Sequence, residues 1–137
     1  MWKKLLFFLF LCAAGLSPVW AAGSVDMQEG QWEITTRVEM PGIPVQIPPM
    51  TFSQCITQQD LVPQNEQPDN ECTVTHNQID GNTVVWSVVC KGEGGETRGD
   101  GQITYHGDRF EGSMKMSMPE GMTMTNHMNG KRIGPCR

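Results

Sequence analysis

Apolar residues recur at every second position along this chain, and helical spacing is almost absent. Trp32, Ile34, Val38 and Met40 alternate with Gln31, Glu33, Arg37 and Glu39, which predicts a half-buried first strand. Pro41, Pro44, Pro48 and Pro49 then interrupt the alternation, as in a loop or a sheet edge. A short second strand is expected over residues 51–57, followed by a loop to residue 70 with room for one helical turn near Gln58 to Leu61. Residues 72–79 and 83–90 flank Asp80-Gly81-Asn82, a strong hairpin signal. A three-residue loop there sets Cys72 opposite Cys90, Val74 opposite Val88 and His76 opposite Trp86. A two-residue Asp-Gly turn would slip the register by one and send the two sulfurs to opposite faces.

The next turn falls at Gly107-Asp108. Pairing His106 with Arg109 places Tyr105 against Phe110, Ile103 against Gly112, Gly101 against Met114 and Gly99 against Met116. Beyond it, Met114, Met116, Met118, Met122, Met124 and Met128 alternate with Lys115, Ser117, Thr123, Thr125 and His127. Pro119-Glu120-Gly121 is a three-residue loop between the two runs, with glycine where a left-handed conformation is needed. It aligns Met118 with Met122 and Met116 with Met124, so both strands present thioethers to one side.

These hairpins add up to an all-β chain, an antiparallel meander of about seven strands with one apolar and one polar face. With no long helix to cover the apolar face, the sheet is expected to curl into a half-barrel or a small barrel. Gly30-Gln31-Trp32 and Arg132 resemble the lipocalin Gly-x-Trp signature with its stacking arginine, an analogy for closure only. A seven-strand meander would bring its first and last strands together in parallel.

Residues 1–21 have the make-up of a secretory signal peptide: Lys3 and Lys4, an apolar run over residues 5–16, then Ser17-Pro18 and a small-residue cleavage site at Ala21. The run is too short to span a membrane, and nothing later approaches one. Leu11 before Cys12 argues against lipid attachment there. The expected exported form is one β-domain over residues 22–137, located in the periplasm. Losing Lys3 and Lys4 reduces the ten basic side chains to eight against fifteen acidic ones, a formal charge of −7. No basic patch remains to follow a phosphate backbone, so nucleic acid is not an expected partner. Cys55, Cys72, Cys90 and Cys136 remain, an even number suited to two disulfides in an oxidising compartment. The hairpin register favours Cys72 with Cys90, which leaves Cys55 with Cys136. No Cys-x-x-Cys supports a zinc site.

The chain resembles the bacterial domain-of-unknown-function family 3617. The resemblance rests on Gly30-Gln31-Trp32-Glu33-Ile34 after a signal peptide, on Met40-Pro41-Gly42-Ile43-Pro44 and on Phe52-Ser53-Gln54-Cys55-Ile56-Thr57. It continues through the Cys72 to Cys90 hairpin and the Met-rich strands to Gly130-Lys131-Arg132-Ile133-Gly134-Pro135-Cys136. It implies an exported, cysteine-paired β-domain and no catalytic or binding residues.

Three readings compete for the methionines. Alternating apolar residues on a strand ordinarily form its buried side, and Met is an adaptable core residue. The same adaptability suits an apolar ligand surface, formed by Met114, Met116, Met118, Met122, Met124 and Met128. Thioethers are also soft donors for Cu(I); that alternative uses Met116, Met118, Met122 and Met124, with His127 or His76 adding a nitrogen. His106 and His127 fall on the polar face, His76 on the apolar one, and none has an acid or serine placed for a triad. The acidic residues near Glu93 and Asp100 lack the ligand rhythm of a calcium loop. The expectation is a non-enzymatic exported domain that needs no cofactor and binds an apolar small molecule, a lipid or a protein surface. A periplasmic Cu(I)-binding protein is the alternative.

Overall fold

The computed structural model describes residues 24–63 and 71–137; the expected signal peptide lies outside them. The alternating segments form seven strands: β1 (Gly30–Glu39), β2 (Met50–Ile56), β3 (Glu71–Asp80), β4 (Thr83–Gly92), β5 (Gly95–His106), β6 (Arg109–Ser117) and β7 (Thr123–Gly134). They build one curled, half-barrel sheet in the order β2-β1-β7-β6-β5-β4-β3, with every pairing antiparallel. Only a 3-10 turn at Pro119–Gly121 departs from β structure among the described elements. No helix among the described residues is long and apolar enough to cross a membrane.

The β5–β6 hairpin has the register its turn predicts, from His106 opposite Arg109 to Gly99 opposite Met116. The β6–β7 hairpin places Met116 opposite Met124, and Met118 N–H donates to Met122 O across the loop. Glu120 and Gly121 both take positive φ there, 69° and 77°, so the left-handed geometry extends over two residues.

The β3–β4 hairpin corrects one expectation. Its turn has two residues, Gly81-Asn82, with Asp80 opposite Thr83. A bulge between Val74 and His76 adds one residue to β3 and restores Cys72 opposite Cys90. Beyond the bulge, His76 pairs with Ser87 and Asn77 with Trp86, so His76 moves to the polar face. Both disulfides join the expected partners, Cys72–Cys90 and Cys55–Cys136.

A second correction concerns the sheet's seam. The first and last strands pair antiparallel, not parallel, with Ile34 opposite Gly130 and Glu39 opposite Thr125. The reason is β2, which folds back along the free side of β1. The chain then crosses to the opposite edge before β3 begins. Near Gln58 the crossing opens with a tight turn rather than a helical one, closed by Asp60 N–H donating to Thr57 O at 3.0 Å.

Large aromatics fill one end of the concave face. Trp32, Tyr105 and Phe110 meet with ring centroids 5.5–5.9 Å apart, and Ile34, Ile56, Val84, Trp86 and Ile103 are buried around them. Two glycines make room. A Cβ on Gly101 would strike the Trp86 indole, and one on Gly130 would strike the Phe110 ring, so each aromatic lies across the glycine directly opposite it. Two irregular segments close this end. Val25 and Met27 pack into the core from one, Leu61 and Val62 from the other. Gln58 ties them together: its Nε2 donates to Val25 O and Met27 O, and its N–H donates to Glu29 Oε1. Tyr105 O–H donates to Leu61 O, and the Trp32 indole N–H donates to Gln28 O at 3.1 Å.

Candidate functional site: a methionine-lined half-trough

The concave face divides along its length. On β7 the inward positions run Met124, Asn126, Met128, Gly130 and Arg132, judged by register against Val38, Thr36, Ile34 and Trp32 of β1. On β6 they run Phe110, Gly112, Met114 and Met116. Toward Trp32 and Phe110 the positions are buried; toward Met116 and Met124 they are only half-buried, and no plug segment packs over them among the described residues. The sequence alternates the same way throughout, so it is the plug at one end that makes the difference.

Met128 belongs to the filled end, buried at 6% exposure in the core cluster, and Met114 packs against that cluster. Met116, Met118 and Met124 are half-buried toward the open end, and Met122 is exposed at the hairpin tip. A hollow of about 470 Å³ lies there, between the β4–β5 turn and the β6–β7 tip, with Met116, Met118, Pro119 and Met122 along one side and Cys90 and Thr97 on the other. Gly99 faces these thioethers, and a Cβ there would collide with Met114 Cε. The size lies within the range of small-molecule clefts, and the lining combines thioethers, Pro119 and glycine backbone with Glu93, Thr97 and Glu120.

Asn126 stands where the filled and open halves meet, opposite Val38 on one side and Met114 on the other. Its Oδ1 is buried without a hydrogen-bond partner. Such an orphaned acceptor costs about 1–3 kcal/mol, so the floor of the trough is not optimised for packing alone. Its position has no signature in the sequence, where it reads as one more polar residue between methionines.

The histidines take no part in this surface. His127 Nε2 lies 3.3 Å from Glu39 Oε2 and His106 Nε2 3.9 Å from Glu111 Oε1, both on the convex face. His76 lies on the same side of the sheet and is exposed. A second hollow, about 500 Å³, lies on that convex face beside His106, Arg109 and Glu111, where Lys131 pairs with Glu33 at 3.2 Å. Among the described residues no three His, Cys, Asp or Glu side chains gather as a metal set. Tyr105, whose hydroxyl is pushed well above its usual pKa by burial first and by the Asp60 carboxylate second, is locked into the core.

The Gly30–Trp32–Arg132 set does come together. Trp32 and Arg132 are register partners, and Arg132 Nε donates to Glu29 O at 2.9 Å. A Cβ on Gly30 would collide first with the Gly134 carbonyl oxygen and then with the Arg132 guanidinium, so glycine is required there. The lipocalin analogy goes no further than this corner: among the described residues the sheet has seven strands, with β2 and β3 at its edges.

No curated protein and no solved structure matches the chain. The family model described as "Protein of unknown function (DUF3617)" matches residues 27–136, from the plug residue Met27 to Cys136 of the Cys55–Cys136 disulfide. The chain belongs to that family.

Proposed function

We propose that this protein is an exported, non-catalytic binding domain of the periplasm whose open half-trough takes an apolar small molecule or lipid chain. The observation that carries the proposal is the division of the concave face. One half is filled by aromatics and two plug segments, while the other presents half-buried thioethers beside a 470 Å³ hollow. Unbranched methionines adjust to ligands of varied shape at little cost, which suits a site that recognises apolar chains rather than one rigid molecule. The two disulfides and the signal-like residues 1–21 support export.

The test is binding of the apolar dye N-phenyl-1-naphthylamine to the lipid-free protein, followed by fluorescence. Wild type should bind, and Met116→Lys with Met124→Lys should abolish binding while far-UV circular dichroism stays unchanged. Binding that survives both lysines would remove the trough from consideration.

The Cu(I) reading is favoured by one observation, the direct opposition of Met116 and Met124 on one face. The nitrogen donors it would draw on lie elsewhere, since His76 and His127 are on the convex side. Competition with a strong Cu(I) chelator decides it: a protein that wins copper through Met116 and Met124 would establish the metal reading.

A further inference from the structure

We infer that the loop joining β1 and β2 is a lipid-docking element: Ile43, Val45 and Ile47 insert into the surface of a bilayer and hold the open end of the trough against it. Residues 41–49 are all exposed, and Val45 reaches 69% exposure. Of the large apolar side chains exposed among the described residues, Ile43, Val45 and Ile47 lie in this loop and Met50 follows it at the start of β2. A contiguous apolar group of this kind marks an interaction surface.

Three features choose a bilayer over a protein partner. The chain carries no charge from Met40 to Gln59, although the rest of the exported form is strongly acidic, so nothing in the loop resists entry into an apolar phase. Pro41, Pro44, Pro48 and Pro49 have no N–H, and the Ile43 N–H donates to Met40 O at 3.4 Å. The donors of Gly42, Val45, Gln46 and Ile47 remain, so the loop docks at the headgroup boundary, where water still reaches its backbone. It does not enter the hydrocarbon core, where each unpaired group is costly. Apart from Gln46, the loop's exposed side chains are apolar, without the Trp, Tyr or Arg anchors that dominate protein interfaces. The prolines fix φ along the loop, so the side chains are held out before contact and little ordering entropy is lost on docking.

Its place in the fold gives the loop a purpose. Glu39 pairs with Thr125, so the loop leaves β1 at the end of the sheet where Met124 and Met116 line the trough, and exposed Met122 stands at that same end. A ligand leaving the bilayer there would enter the thioether surface without crossing open water. That path rests on the trough reading; the docking rests on the loop alone.

The experiment is co-sedimentation of the exported form with phosphatidylcholine vesicles, in 0.1 M and 0.5 M salt. Wild type should sediment with the vesicles equally at both salt concentrations, because the contact is apolar rather than ionic. Ile43→Ser, Val45→Ser and Ile47→Ser together should lower the partition coefficient at least tenfold, yet leave dye binding by the lipid-free protein intact. A tryptophan in place of Val45 should be quenched by lipids brominated near the headgroup boundary. Wild type that stays in the supernatant, or a triple variant that sediments as well as wild type, overturns the inference. If dye binds and vesicles do not, the trough stands and the docking falls, leaving a protein as the partner to seek. Vesicle binding without dye binding gives the reverse.

Discussion

Removing the two disulfides one at a time should separate global from local stabilisation. Cys55–Cys136 joins residues 81 positions apart, whereas Cys72–Cys90 joins residues 18 apart. Counting only the chain entropy each link removes from the unfolded state, the first contributes about 4.5 kcal/mol and the second about 3.2 kcal/mol. The structure widens the gap. Cys55 lies on β2 and Cys136 just past β7, so their bond bridges over β1 and ties the N-terminal hairpin to the remaining five strands. Cys72 lies on the edge strand β3, whose ten residues are all exposed, and its loss frays an edge that shields little core. Guanidinium unfolding followed by the buried Trp32 and Trp86 is the assay, with Cys→Ser pairs at each bond. The Cys55/Cys136 pair should lower the midpoint by more than the Cys72/Cys90 pair, and native-state hydrogen exchange in the latter should speed up mainly in β3. A larger loss from the Cys72/Cys90 pair would refute both the entropy argument and the reading of β3 as peripheral.

Gly101→Ala should destabilise by about 1–3 kcal/mol in the same assay, because the new methyl meets the Trp86 indole in a filled core. Tyr105 is the only tyrosine, and its folded phenol holds its proton above the usual value near 10. Stability should therefore be unaffected by this group below about pH 10 and fall as pH rises past it, with tyrosinate absorbance appearing only as the fold is lost. Met116→Leu with Met124→Leu should cost less than about 1.5 kcal/mol per site and leave dye binding unchanged, since volume and apolarity are kept. The same variant should show no change in copper competition; a wild-type advantage that leucine removes would instead support the metal reading.

Period-two patterning made most of the sheet legible. The β5–β6 and β6–β7 registers follow from Gly107-Asp108 and Pro119-Glu120-Gly121, because each turn fixes the pairing and the apolar face confirms it. The bulge in β3 was not legible. It needs no special residue at Thr75, and two errors, the assumed three-residue turn and the omitted bulge, cancel at the cysteines and show only between the bulge and the turn, from His76 to Asp80. The seam between β1 and β7 was hidden for another reason: it depends on which side of β1 the second strand takes, and local patterning carries no information about that choice. At the site, the methionines were visible but their division was not. Met128 and Met116 look alike in sequence, and only the segments around Met27 and Leu61 make one core and leave the other half-covered.

Among the described residues the sheet ends at β2 and β3, and these two edges run in the same direction, because the seven strands alternate from one edge to the other. Parity then governs closure. An antiparallel ladder can close on itself only with an even number of strands, so this sheet cannot zip β2 to β3 without adopting a parallel pairing, which is less stable per residue. The gap between the edges is thus a consequence of counting, protected by topology rather than by a blocking side chain. A strand added there would meet both neighbours antiparallel, and an eighth strand is the smallest change that would turn an open cradle into a sealed container.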